Sequence, residues 1–409
     1  MRTQPSTDIL AYFVGSQKRV LGSRYNNIED RHLARLMDTF PQVSDLREKA
    51  QKRLPNVAWQ YLETGTGQDE VMKRNRESLD RITFVPRFLK GNLDLDLSTT
   101  LLGKTYAAPF GIAPMGLCGL IWPGTERILA QAARGLNIPY TLSTVATQTP
   151  EAIGPHVGEM GWFQLYPPKD PEVRKAMLKR AADAGFHTLV ITADVPSPGR
   201  REESRKAGLS VPPNINLKMI WEGATHPAWS LQILRTGLPR LRFVESFSPK
   251  KDLKSAALYT RFEFRGDLDW DYVRAVRQLW KGPVLLKGLQ HPEDVTQAIA
   301  EGIDGIIISN HGGRQFDGAP GAIDMLRDLV SQTRPSIPVI FDSGIRSGLD
   351  ILRALHCGAD FVLIGRPYLY GVAALGEKGG EHVNNIFVED LTNNMKQLGI
   401  TKPSMVRDY

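Results

Sequence analysis

From about Pro109 onward the chain repeats one pattern: a short apolar run, a polar or glycine-rich turn, then a stretch with apolar residues at helical spacing. Apolar runs separated by amphipathic helices read as parallel strands buried on both faces, because each crossover returns over the sheet and covers it. Eight runs fit: Phe110 to Ala113, Tyr140 to Ser143, Trp162 to Tyr166, Thr188 to Asp194, Val284 to Lys287, Gly305 to Asn310, Val339 to Asp342 and Phe361 to Gly365. The helices between them are legible too. Pro171 to Ala184 sets Val173, Met177, Leu178 and Ala181 on one face with charges opposite, and Pro292 to Gly302 and Gly348 to Cys357 follow the same rule. Eight such units predict an α/β fold closed as a (β/α)8 barrel of the TIM type. An open doubly wound sheet is the alternative, but Pro114-Met115-Gly116-Leu117 follows the first strand where a dinucleotide-type glycine fingerprint would stand.

Two regions break the pattern. Residues 1–40 form a polar N-terminal extension, after which Val43 to Leu62 reads as a helical lead-in to a barrel spanning 41–409. The second break, Lys206 to Phe264, separates the fourth strand from the helix Leu268 to Trp280 and is too long for an ordinary βα loop. It carries Leu217-Lys218-Met219-Ile220-Trp221 and Trp229-Ser230-Leu231-Gln232-Ile233-Leu234-Arg235, then Leu238, Arg240, Leu241, Arg242 and Phe243. Tryptophans, leucines and arginines mixed in this way suit either a lid or subunit interface, or a segment lying in the headgroup region of an anionic membrane.

Composition narrows the classes. With 409 residues and 42% hydrophobic the chain can bury a large core, and a net charge of +7 favours small carboxylates or an anionic membrane. No basic motif interleaved with aromatics supports nucleic acid. Cys118 and Cys357 are the only cysteines, each in an apolar or glycine-rich stretch, so neither a disulfide framework nor a cysteine metal site is expected. Met1 to Tyr12 lacks the features of a secretory signal, which gives a cytoplasmic expectation, with peripheral contact to the inner face of the membrane through the insert.

In a barrel of this type the C-terminal strand ends converge on one site. Ser309-Asn310-His311-Gly312-Gly313-Arg314-Gln315-Phe316-Asp317 places a base three residues from an arginine, a pairing that can remove a proton from an anionic substrate while gripping it. Asp342-Ser343-Gly344-Ile345-Arg346 and Ile364-Gly365-Arg366 supply flexible amides and guanidinium groups at the last two strand ends, where barrels commonly bind phosphate. Ser143, Gln164, Thr192 and Lys287 lie between and could hold the polar edge of a flat heterocycle, with a cation near a ring position that gains charge on reduction. Flavin mononucleotide, FMN, answers this description.

Together with Trp162-Phe163-Gln164-Leu165-Tyr166, Thr192-Ala193-Asp194 and Leu286-Lys287-Gly288, these motifs resemble the FMN-dependent 2-hydroxyacid oxidases and dehydrogenases from about Val43 to Gly399. The resemblance implies that His311 is the base, Asp194 its carboxylate partner and Arg314 the substrate-carboxylate clamp. It also implies that Tyr61, in Tyr61-Leu62-Glu63-Thr64-Gly65, and Tyr166 line the substrate pocket, which Arg201 approaches from the loop after the fourth strand. FMN would meet Pro114, Met115, Gly116, Ser143, Gln164, Thr192, Lys287, Ser309, Asp342, Gly344, Arg346, Gly365 and Arg366, and a homo-oligomer, a tetramer, is implied as well.

Two positions narrow the subtype. Val145 stands where glycolate oxidase has tryptophan and resembles the bacterial quinone-linked lactate dehydrogenases, leaving room for a substrate larger than glycolate. Gly116 occupies a position that is commonly alanine in the oxidases and glycine in mandelate dehydrogenase and lactate monooxygenase. The stretches His226-Pro227-Ala228-Trp229-Ser230-Leu231 and Gly237-Leu238-Pro239-Arg240-Leu241 are similar to a segment of membrane-associated mandelate dehydrogenase. Oxidation of an L-2-hydroxy acid to the 2-oxo acid, with electrons passed to a quinone or similar acceptor, is the expected function. Use of dioxygen in the second half-reaction is the nearest alternative, and a non-redox FMN- or phosphate-binding barrel is the remote one. Cys118, close to the site in sequence, reads as a packing residue.

Overall fold

The computed structural model describes residues 34–209, 217–264 and 268–409. The chain divides after Pro41 into two units. In the first, residues 34–39 are helical. The second contains everything discussed below.

Eight parallel strands close into a barrel: β3 (Phe110–Met115), β4 (Tyr140–Ser143), β5 (Gly161–Leu165), β6 (Thr188–Thr192), β7 (Val284–Leu289), β8 (Gly305–Ile308), β9 (Val339–Phe341) and β10 (Phe361–Ile364). Closure is made by β10 against β3, with Val362 opposite Phe110 and Ile364 opposite Ile112. Strands β4, β5, β6, β8, β9 and β10 are buried along their whole length, as strands covered by helices outside and by packed side chains inside must be.

At the C-terminal rim five strands stop one or two residues short of the apolar pattern, at Leu165, Thr192, Ile308, Phe341 and Ile364. Side-chain hydroxyls take over from the ladder there. The Tyr166 amide donates to Thr144 Oγ1 at 3.1 Å and the Asn310 amide to Ser343 Oγ at 3.3 Å, so the backbone stays satisfied while the chain turns into the site.

The helical lead-in over Val43 to Leu62 is made of two helices, α1 (Val43–Arg53) and α2 (Asn56–Glu63). Pro55 cannot continue the first helix, and it biases Leu54 to the extended conformation seen there, φ −98° and ψ 136°. A third helix, α3 (Glu70–Asp80), follows. Next comes an antiparallel hairpin, β1 (Thr99–Leu101) and β2 (Lys104–Tyr106), turning on Leu102 and Gly103 at φ 52° and 77°. Its buried Tyr106 accepts a hydrogen bond from Trp162 Nε1 at 3.2 Å and packs on Phe361, residues at the N-terminal ends of β5 and β10. The hairpin thereby plugs the bottom of the barrel and leaves the C-terminal mouth for ligands.

The insert has two characters. Helices Arg242–Glu245 and Leu253–Glu263 belong to the barrel wall: Phe243 is buried against Phe163, Arg180 lies over the Phe243 ring, and the Glu263 carbonyl accepts from Lys169. Phe243, grouped by sequence with the surface-seeking residues, is therefore a core residue. Helices Leu217–Thr225 and Pro227–Thr236 form a hairpin closed by Ser230 Oγ on the Gly223 carbonyl at 2.7 Å, and Trp221 and Leu234 are 69% and 81% exposed. Trp229 ties this hairpin down by donating to the Leu120 carbonyl at 2.9 Å.

Candidate active site

A cavity open to solvent occupies the C-terminal mouth, lined by residues from the ends of most of the barrel strands. Every residue given a catalytic, substrate or cofactor role from sequence lines it except two: Asp194 pairs with His311, and Ser309 accepts from Lys287. Sequence reasoning missed Ala113, Gly312, Ser343, Ile345, Leu363 and Leu369 in the wall. The apolar ones carry no polar atom to mark them, and Ser343 stood unassigned inside a motif that was noticed.

His311 heads the loop after β8 in the left-handed region at φ 58°, followed by Gly312 at 64° and Gly313 at 79°. This turn swings the imidazole across the mouth. Its Nδ1 lies 3.0 Å from Asp194 Oδ1, and its Nε2 lies 3.4 Å from the Tyr166 hydroxyl. Burial pushes the imidazolium below its ordinary pKa of 6.5 against the pull of Asp194. Burial also opposes ionisation of Asp194, but His311 and Lys287 outweigh it and hold the carboxyl below its usual range. The result is a neutral imidazole beside a carboxylate ready to stabilise its charged form.

Four arginines surround this pair. Arg314 and Arg201 stand 5.3 Å and 5.6 Å from the centre of the Tyr61 ring, and the Tyr61 hydroxyl donates to the Gly116 carbonyl at 2.9 Å. Arg314 donates to the carbonyls of Tyr61 and Leu62 at 2.9 Å and 2.8 Å. Arg366 donates to those of Leu62 and Gly312 at 3.1 Å and 2.9 Å, with Thr64 at 3.3 Å. The last turn of α2, the negative end of its dipole, thus holds both guanidinium groups. Among the described residues, Arg201, Arg314, Arg346 and Arg366 have no carboxylate in ion-pair range. Burial and the neighbouring Arg366 and Arg201 push Arg314 down to about 9, and burial pushes Arg366 down to about 10. A mouth with this unbalanced positive charge is built for anions.

Opposite the arginines runs a neutral, directional wall. Ser143 Oγ donates to Gln164 Oε1 at 2.7 Å, and Gln164 Nε2 donates to Thr192 Oγ1 at 2.9 Å, so the amide is fixed in one orientation. Lys287, buried, pairs with Asp342 at 3.0 Å and donates to Ser309 at 2.7 Å. Arg366 opens the ten-residue helix Arg366–Leu375, whose N-terminus adds dipole charge to the arginines. An oriented amide wall, one buried ammonium and an anion-seeking end suit a flat polar heterocycle carrying phosphate, and the remaining arginines suit a second, carboxylate-bearing ligand. Those are the needs of a flavin oxidoreductase acting on an organic acid.

Comparison with known proteins agrees. The family described as FMN-dependent dehydrogenase matches residues 50–408, and this chain belongs to it. It is a flavoenzyme of the FMN-dependent 2-hydroxyacid dehydrogenase and oxidase group, with FMN as cofactor. An L-lactate dehydrogenase of Xanthobacter autotrophicus is 37% identical over 373 residues, covering 89% of this chain and 96% of that protein. The (S)-mandelate dehydrogenase of Pseudomonas putida is 37% identical over 358 residues, covering 87% and 90%. A crystal structure of (S)-mandelate dehydrogenase, described as a monotopic membrane protein, superposes with a TM-score of 0.84 at 36% identity, covering 89% of this chain and 97% of that one.

Proposed function

We propose that this protein oxidises an L-2-hydroxy acid with a side chain larger than that of glycolate, lactate-like or mandelate-like, and that a membrane quinone or similar carrier takes the electrons. The observation that carries this reading is the juxtaposition of a neutral, carboxylate-backed His311 with the unpaired Arg314 in one cavity. Arg314 offers the two-pronged fork that a carboxylate matches, and Arg201 adds charge at the entrance. Tyr61 and Tyr166 present hydroxyls to the substrate, while Val145 and Gly116 leave space for its side chain.

FMN, when bound, supplies the two-electron acceptor. Ser143, Gln164, Thr192, Lys287 and the rim Pro114, Met115 and Gly116 would hold its ring, with Ser309 steadying Lys287. Asp342, Gly344, Arg346, Gly365 and Arg366 would hold its ribityl phosphate. The chain's own part is proton management: His311 Nε2 accepts a substrate proton, and Asp194 steadies the imidazolium and fixes its tautomer. The Lys287 ammonium would offset negative charge gained by a ring held there. The related monotopic mandelate dehydrogenase supports membrane contact through the exposed hairpin at 217–238, whose Trp221, Leu231, Leu234 and Leu238 face solvent, while no described helix is long and apolar enough to cross a membrane.

The test is anaerobic mixing of the yellow protein with a panel of L-2-hydroxy acids, followed by timed admission of air. Bleaching of the flavin by lactate or mandelate with slow recovery in air is expected. Recovery within milliseconds would make it an oxidase, and no bleaching by any acid would end the reading.

A further inference from the structure

Among the wall residues that carry a side chain, Ser343 has the backbone furthest into the positive-φ region. It sits at φ 89°, beyond the ordinary left-handed basin, and among the described residues no other non-glycine residue with positive φ exceeds 62°. Glycine would occupy this position without strain, so the serine needs a compensating contact. The hydroxyl makes three. It accepts from the Gly312 amide at 3.0 Å and from the Asn310 amide at 3.3 Å, and it donates to Asp342 Oδ1 at 2.8 Å. The other oxygen of Asp342 pairs with Lys287 Nζ at 3.0 Å.

Ser309 mirrors this arrangement from the neighbouring strand: its hydroxyl accepts from the His311 amide at 2.9 Å and from Lys287 Nζ at 2.7 Å. Three successive amides, 310 to 312, are thus held by two serine hydroxyls anchored on one buried lysine–aspartate pair. The left-handed run of His311, Gly312 and Gly313 has no ladder to hold it, and these hydroxyls take the ladder's place.

We propose that Ser343 is a positioning residue for the reaction, its hydroxyl registering the His311 loop against the Lys287–Asp342 pair. Because Lys287 and His311 line one cavity, the same hydroxyl ties the His311 loop to the wall proposed to hold the flavin ring. This proposal rests on the reading of His311 as the base.

Ser343→Gly and Ser343→Ala remove the same hydroxyl, but only glycine relaxes the backbone. In full-length, FMN-loaded protein, both should slow anaerobic flavin reduction about ten- to a hundredfold, the scale set by misplacement of a reacting group. Substrate KM should change little, and both variants should shift the acid limb of the pH profile. Hydrogen exchange of the 310–312 amides, read with or without FMN, should quicken in both, while Ser343→Gly melts no lower than wild type and Ser343→Ala melts lower. Wild-type reduction, pH limb and exchange in Ser343→Gly would overturn the proposal. His311→Ala, run alongside, separates the two failures. If it reduces normally, the base assignment falls. If it is dead while Ser343→Gly is normal, only the role of Ser343 falls.

Discussion

Burial lowers the pKa of the His311 imidazole, and with the role of base proposed for it this gives a signed pH dependence. Its pKa lies below the ordinary 6.5, so kcat/KM for the hydroxy acid should climb as pH rises through that depressed value and stay level above it. His311→Ala should keep FMN and lose about 10²- to 10⁴-fold in flavin reduction, measured by stopped flow. Arg314→Lys should be severe as well, because an ammonium presents one point of charge where the fork presents two donors. Gly116 makes a steric prediction. A Cβ added there would stand 2.6 Å from Val145 Cγ2, so Gly116→Ala should cost about 1 to 3 kcal/mol of stability, read from the denaturant midpoint. Val145→Ala should restore most of it, a coupling that a double-mutant cycle would reveal.

At the scale of elements, α3 has a cap that its own sequence does not supply. Asp69, at its N-cap in the left-handed region, makes no side-chain cap, whereas Asp317 from the His311 loop accepts from Gln68 N at 2.8 Å and Val71 N at 2.9 Å. Asp317→Ala should therefore cost about 0.5 to 2 kcal/mol of stability, read from the denaturant midpoint. Contacts of this kind mark the limit of what the sequence shows. The barrel strands were legible because each is an unbroken apolar run between turns, and the mouth residues because barrel geometry gathers strand ends. The break at Pro55 was visible in principle but lost within a continuous helical periodicity. Helix α3 and hairpin β1–β2 lie in a polar stretch whose elements are stabilised from outside, by Asp317, by the reciprocal Asn75–Asn310 amide pair and by the Tyr106 plug. The contacts of Ser343 with the His311 loop and of Arg366 with the α2 carbonyls join residues distant in sequence, which spacing does not reveal.

For the whole molecule the open question is where the exposed hairpin goes. Burial of its tryptophan and leucines at a headgroup layer, with about 1 kcal/mol per arginine or lysine near anionic lipid, would give reversible attachment. Co-sedimentation with anionic vesicles at low salt should occur, should weaken at high salt, and should vanish when residues 217–238 are replaced by a short Gly/Ser linker. Binding that survives the replacement would place the contact elsewhere. Light scattering of the detached protein would test the tetramer that the family resemblance implies.

The last turn of α2 gives the segment ahead of the barrel a further meaning. Its carbonyls are the standing counter-charge for Arg314 and Arg366, so the barrel mouth borrows its negative ends from a stretch outside the eightfold repeat. Such a segment is not a dispensable leader. A fragment beginning at Glu70 would keep the whole (β/α)8 pattern and lose the carbonyls on which Arg314 and Arg366 rest.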